Sequence, residues 1–187
     1  MKPTRLSYVI AFLSGLAMFG CGAAATLPPD GGLDTLRPAL NQAVWHPEFG
    51  DQIQVSPIGV PVALENGSVN SDAVSINVPD GQSSYVHGVF LLDVPDEDGV
   101  SISAYVGFTD SATDGSSARF TIYIQDEGRF VSLAELTASK DGQLDTLIAD
   151  LSAYRGQNRM LVLSASSDNG APLLAPMVWA TPQLYIP

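Results

Sequence analysis

Residues 100–108 read VSISAYVGF. Val100, Ile102, Ala104, Val106 and Phe108 alternate with Ser101, Ser103, Tyr105 and Gly107. Successive side chains of an extended strand point to opposite faces, so this stretch is a strand with one face in a core and the other toward solvent. The same period recurs on either side of it. Phe120, Ile122 and Ile124 alternate with Arg119, Thr121, Tyr123 and Gln125, and further strands are expected at 60–65, 73–78, 85–93, 129–134, 144–150, 160–166 and 177–186. Turn-forming runs separate most of them: Pro79-Asp80-Gly81, Pro95-Asp96-Glu97-Asp98-Gly99, Asp114-Gly115, Glu127-Gly128, Asp141-Gly142 and Asn169-Gly170. The one helix-like stretch, 147–154, is short. Many short strands joined by acidic turns make an all-β, antiparallel β-sandwich, expected over residues 60–187.

The composition of the whole chain narrows its chemistry. Its 187 residues carry 8 Lys+Arg against 20 Asp+Glu, a net charge of −12. Such a surface repels phosphate backbones, which argues against nucleic acid as a partner. One Cys excludes an internal disulfide and a Cys-based zinc cluster. A hydrophobic content of 45% is too high for a disordered chain.

That Cys sits in a telling place. Lys2 and Arg5 precede an apolar run, Leu6 to Gly20, that is short for a bilayer span and right for a signal-peptide core. Residues 1–20 are therefore read as a signal peptide. Gly20-Cys21-Gly22 closes the run and resembles the lipobox of bacterial lipoproteins, which implies a lipidated Cys21 as the mature N-terminus. Met18 and Phe19 depart from that pattern, and cleavage after Ala23-Ala24-Ala25 is the competing reading. Either route takes the protein out of the cytoplasm, lipid-anchored at an outer membrane or cell surface with Cys21, or secreted without it. Removal of 1–20 leaves a net charge of −14 and a single Lys, Lys140. Residues 21–40, with Pro28-Pro29 and Gly31-Gly32, read as a tether, and 41–59 as a lead-in carrying Trp45 and Phe49.

Four runs of the chain carry a resemblance. The runs 100–112 (VSISAYVGFTDSA) and 118–130 (ARFTIYIQDEGRF), then 150–166 (DLSAYRGQNRMLVLSAS), then Trp179-Ala180-Thr181-Pro182-Gln183-Leu184, follow one another in order. In that order they resemble galactose-binding-like jelly rolls, and among them carbohydrate-binding modules of the NPCBM type. The resemblance implies a jelly-roll sandwich and glycan binding. Many relatives carry an Asp-His pair before the last strand, where this sequence has Ala175-Pro176. Any contact made by that pair is not implied here.

Catalysis finds little footing in these residues. No Gly-x-Ser-x-Gly elbow or phosphate loop occurs, and the carboxylates sit mostly in turn strings. His46 and His87 are 41 positions apart, without ligand spacing, and read as structural. A non-enzymatic protein is expected. Sugar binding calls for aromatic faces with polar neighbours. Tyr105 on the Ser-rich face of its strand and Tyr123 beside Thr121 and Gln125 meet that requirement. So do Trp179, Gln183 and Tyr185, which share one parity on the last strand. Asp93, Asp96 and Asp98 cluster on a turn as a candidate calcium site, with Asp110 and Asp114 on a second acidic turn. Two functions follow: a membrane-tethered, carbohydrate-binding-module-like lipoprotein, or an accessory subunit whose sandwich contacts an envelope protein.

Overall fold

The computed structural model describes residues 32–48, 53–56, 58–79 and 83–187. Thirteen strands are found among them: β1 (Gly32–Thr35), β2 (Val44–Pro47), β3 (Gln54–Val55), β4 (Val62–Ala63), β5 (Val69–Asn70), β6 (Ala73–Asn77), β7 (Tyr85–Asp93), β8 (Ser101–Phe108), β9 (Ser117–Asp126), β10 (Arg129–Ser139), β11 (Asp145–Asp150), β12 (Asn158–Ser166) and β13 (Met177–Ile186). A four-residue helix, α1 (Arg37–Leu40), and a 3₁₀ turn (Ser152–Tyr154) complete the described elements. Sheet A runs β11-β8-β13-β6-β3, with β1 also paired to β13, and sheet B runs β10-β9-β12-β7-β2. A small β4–β5 hairpin stands apart. Every strand pair is antiparallel. The expected all-β antiparallel sandwich is what the chain forms.

Alternation builds the core. Ile102, Ala104, Val106 and Phe108 of β8, with Val100 just before it, face Phe120, Ile122 and Ile124 of β9 and Leu161, Leu163 and Ala165 of β12. Three aromatic rings lock the middle edge to face: Phe108 on Phe120 at 6.4 Å and Phe120 on Trp179 at 5.4 Å, both at 78°.

Several expectations need correction. Residues 32–40, read as tether, form β1 and α1, and Leu36 and Leu40 are buried in the core. The lead-in contributes an edge strand to each sheet, β2 to sheet B and β3 to sheet A. Trp45 lies over Gly88, where an added Cβ would stand 2.6 Å from the indole ring. The helix-like stretch 147–154 is the end of β11 followed by the 3₁₀ turn, because Leu147, Ala149 and Leu151 are buried with period two. Cys21 and the signal-peptide residues lie outside the described residues. No described helix is long and apolar enough to cross a membrane.

The parity of β13 also changes midway. Its pairing with β8 slips between Ala180 and Gln183, and Thr181 takes φ +47° there. Asn70 donates to the Thr181 hydroxyl at 2.7 Å and Thr181 N–H donates to Asp72 carbonyl at 3.0 Å, which hold the bulge. Trp179 therefore faces the core on one side of the bulge and Leu184 does so on the other.

Candidate functional site

The five aromatic and amide candidates separate into three layers. Trp179 is 0% exposed and stands between the sheets, so its ring cannot serve as an open platform. Tyr105 (47% exposed), Gln183 and Tyr185 belong to the outer face of sheet A, opposite Ala180, Ser103 and Ser101 in the β8–β13 register. Tyr185 is buried there and Gln183 half-buried. Tyr123 lies on the outer face of sheet B. A shared surface for all five does not exist.

The outer face of sheet A is largely closed. Val62 and Leu64 of the hairpin region pack on Ala73, Val178 and Ala180, with Leu144 at the border. Glu65 pins this cover. One carboxylate oxygen accepts Phe108 N–H at 2.7 Å, and the other accepts the N–H groups of Asp141 (3.1 Å) and Gly142 (3.2 Å). Gly107 is required beneath it, because an added Cβ would lie 2.4 Å from Glu65 Oε1.

Sheet B is open, and the register writes out its surface row by row. One row runs Glu135, Thr121, Ser164, His87, His46 across β10, β9, β12, β7 and β2. The next runs Ser132, Tyr123, Val162, Val89, Val44. A third joins Thr137, Arg119, Ser166 and Tyr85. Five strands at about 4.8 Å spacing make this face roughly 19 Å wide. A depression of about 350 Å³ sits in it, lined by Tyr85, His87, Tyr123, Phe130, Val162, Ser164 and Ser166. That volume falls in the range of small-molecule sites, roughly 300–1,000 Å³.

Aromatic faces and hydroxyls alternate around the depression. Tyr85 stacks on His87 with centroids 5.8 Å apart and planes 26° off parallel. His87 meets His46 across the β2–β7 register at 5.5 Å. Burial lowers the His87 pKa from its usual 6.5, and the neighbouring His46 lowers it further. Phe130, 56% exposed, forms the opposite wall. No carboxylate lines the depression, so the paired acid and base of glycoside hydrolysis are missing from its walls. Of the expected residues only Tyr123 belongs to it. The signal for Tyr85 and His87 was present as the alternation of Tyr85, His87, Val89 and Leu91 against Val86, Gly88, Phe90 and Leu92, while Phe130, Val162, Ser164 and Ser166 belong to β10 and β12. What stayed hidden was which strands stand side by side.

The acidic turns are committed elsewhere. Asp98 pairs with Arg155, whose Nε also lies 3.9 Å from Asp96, and Asp93 accepts a hydrogen bond from Asn158. Among the described residues no three His, Cys, Asp or Glu side chains converge as a metal site. In the second turn the Lys140 ammonium donates to the carbonyls of Asp110 (2.8 Å) and Ala112 and stands 3.5 Å from Asp114. The Lys140 ammonium thus occupies the oxygen-lined position of this turn.

No family model and no curated protein sequence matches the chain. Solved structures do. The chain is similar to the CBM51-2 and INT domains of Clostridium perfringens ZmpB in complex with GlcNAc (15% identity, TM-score 0.52, 83% of this chain and 32% of that one). It is also similar to CBM51 from Clostridium perfringens GH95 in complex with methyl-galactose (14%, 0.51, 82% and 99%). A third likeness is the CBM22-1 xylan-binding domain of Paenibacillus barcinonensis Xyn10C (15%, 0.52, 83% and 94%). The chain spans about a third of the ZmpB structure's length and nearly all of the two others. At these identities the likeness is one of fold: a carbohydrate-binding-module β-sandwich.

Proposed function

We propose that this protein is a non-catalytic glycan-binding module that uses the outer face of sheet B, held at a membrane outside the cytoplasm by lipid on Cys21. The observation that carries the binding reading is the depression itself. Tyr85, Tyr123 and Phe130 offer ring faces to the C–H side of a pyranose, while Ser164, Ser166 and His87 offer hydrogen bonds to its hydroxyls. Modules of similar fold are seen in complex with GlcNAc and with methyl-galactose, and a third is a xylan-binding domain, which sets the panel for a test.

That test is affinity electrophoresis of the full chain against xylan, galactan and chitin fragments. Retardation by one of them, lost in Tyr85→Ala and Tyr123→Ala and kept in Tyr105→Ala, supports the reading. Equal retardation of all variants, or none with any polysaccharide, sinks it. Anchoring is tested apart: the protein should fractionate with membranes and become soluble as Cys21→Ser, and a lipid-free mature N-terminus at Thr26 would refute it.

One feature favours the second reading, a protein contact. Leu91 (63% exposed) and Val44 (57% exposed) border a broad apolar depression with Pro38, Ala39 and Met160 beside the glycan groove. Stoichiometric co-purification of an envelope protein, abolished by Leu91→Asp, would establish it.

A further inference from the structure

The two histidines of this chain, distant in sequence, are register partners on the edge of the groove. Strand β2 has four residues and pairs with β7 alone in sheet B, with Trp45 over Gly88 and Glu48 bonded to Ser84 as further ties. His46 is exposed, whereas His87 is half-buried between His46 and Tyr85. We propose that the His46–His87 pair is an acid-operated release for the sheet B groove. With the His87 ring uncharged, the Tyr85–His87 stack forms one wall. When acid puts a proton on both rings, like charges part β2 from β7, the wall breaks up and the sugar is freed. The release of sugar rests on the glycan reading; the opening of the wall does not.

The surroundings offer the second charge no compensation. From β12 the group facing His87 is Ser164, and from β9 it is Thr121, with Arg119 one row away in an ion pair with Asp168 at 2.8 Å. Glu135 of β10 ends the same row three strands off, about 14 Å away. Glu48, just after β2, accepts hydrogen bonds from the Ser84 N–H at 3.1 Å and from the Ser84 hydroxyl. On β7 itself the neighbour is Tyr85, whose ring stacks on His87. Burial and the like charge of His46 both oppose protonation of His87, so the ring that forms the wall resists charging until the pH falls below the usual imidazole range.

Two measurements on the full chain decide it. The first is an NMR titration of both imidazoles and the backbone amides from pH 8 to 4.5, without ligand. Coupled titration in which the amides of β2 and β7 move together with His87 supports the release. Independent titration near 6.5, with those amides still, overturns it. The second is affinity electrophoresis in soluble xylan at pH 7.5 and pH 5, where retardation should fall about tenfold as the groove opens. His46→Gln should keep retardation at pH 5 and raise the His87 midpoint. His46→Arg, a fixed charge at an exposed site, should weaken retardation even at pH 7.5 and lower that midpoint. The same acid loss in wild type and His46→Gln overturns the proposal. Absence of retardation at every pH overturns the glycan reading instead, and the amide titration alone then rules on the switch.

Discussion

Sheet A carries a hairpin over its outer face, and sheet B leaves the equivalent face bare. The two sheets share a core and alternate in the same way, yet on sheet A the outward Val178 and Ala180 are buried under Val62 and Leu64. On sheet B the outward Tyr85, Leu91 and Phe130 meet solvent. A sandwich face covered by its own chain gains stability by burying apolar area. A face left open with aromatics on it keeps that area for something else, since exposed apolar patches on soluble domains mark interaction sites. The contrast sets a covered, stabilising face on sheet A against an open apolar face on sheet B, the face proposed for recognition.

The largest effect should come from removing what both sheets share. Trp179→Ala deletes a fully buried ring packed on Phe120, and such truncations cost about 3–5 kcal/mol. Equilibrium unfolding in urea should show that loss, and any effect on glycan binding should vanish once the variant is compared as folded protein. A loss of binding in a variant of undiminished stability would mean that the ring reaches ligand and would break the layer assignment.

Next comes the cover. Glu65→Ala strands the N–H groups of Phe108, Asp141 and Gly142, which Glu65 satisfies at 2.7–3.2 Å. Leaving such donors unpaired costs about 1–3 kcal/mol each when buried and less where water reaches them, so a net loss of about 2 kcal/mol is expected. Hydrogen exchange should rise in the hairpin, β8 and the 141–142 turn while sheet B stays protected. Uniform acceleration across both sheets would show that the hairpin is no separate cover.

These two residues also show what the sequence could and could not convey. The alternation at 100–108 and 119–125 specified β8 and β9 and their inward sides, because a half-buried strand must alternate. Trp179 fell on the wrong face for a local reason, the bulge at Thr181, which shifts parity within one strand. The site was less legible for a global reason. Tyr105 and Tyr123 look alike as strand tyrosines, and only strand order places one on sheet A and the other on sheet B. His46 and His87 lie far apart in sequence and meet solely because β2 pairs with β7. A four-residue edge strand containing Pro47 carries too little pattern to be read beforehand.

Three tyrosines turn the contrast of the faces into one experiment. Tyr85→Ala, Tyr123→Ala and Tyr105→Ala each remove a ring that is at least partly exposed, so each should shift stability by less than about 1 kcal/mol. Their effects on polysaccharide binding should split. The two sheet B variants should lose about tenfold or more in affinity by calorimetry, matching one lost stacking contact, and the sheet A variant should lose nothing measurable. Weaker binding by Tyr105→Ala alone would move the recognition face to sheet A.

The smallest effect separates the sheets by pH. At the sheet B edge His87 has a lowered pKa, caused by burial and then by His46. The unfolded chain therefore binds that proton more readily, and the neutral ring's contribution is full above about 6.5 and is lost as pH falls through the lower folded value. At the sheet A edge the groups are on β11 and titrate further toward acid. Asp150 is held below its usual 3.8 by the Ser152 hydroxyl and by the Ser152 N–H, which donates at 2.8 Å. Its contribution is present at neutral pH and is lost as pH falls from 3.8 through the lower folded value. Asp145 opposes it. Burial, then the charge of Asp141, raises its pKa, so the native state takes up its proton first and gains stability as pH falls through that raised value toward 3.8. Between pH 7 and 5 the melting temperature should thus decline through His87, and His87→Gln should flatten that decline without altering the profile near pH 4. The two β11 aspartates act in successive windows, Asp145 adding stability as pH falls toward 3.8 and Asp150 removing it below 3.8. Asp145→Asn should leave the Asp150 loss standing alone and steepen the acid limb, while Asp150→Asn should invert it. A decline between pH 7 and 5 that persists in His87→Gln would place the titrating group away from the sheet B edge and erase the separation of the two sheets by pH.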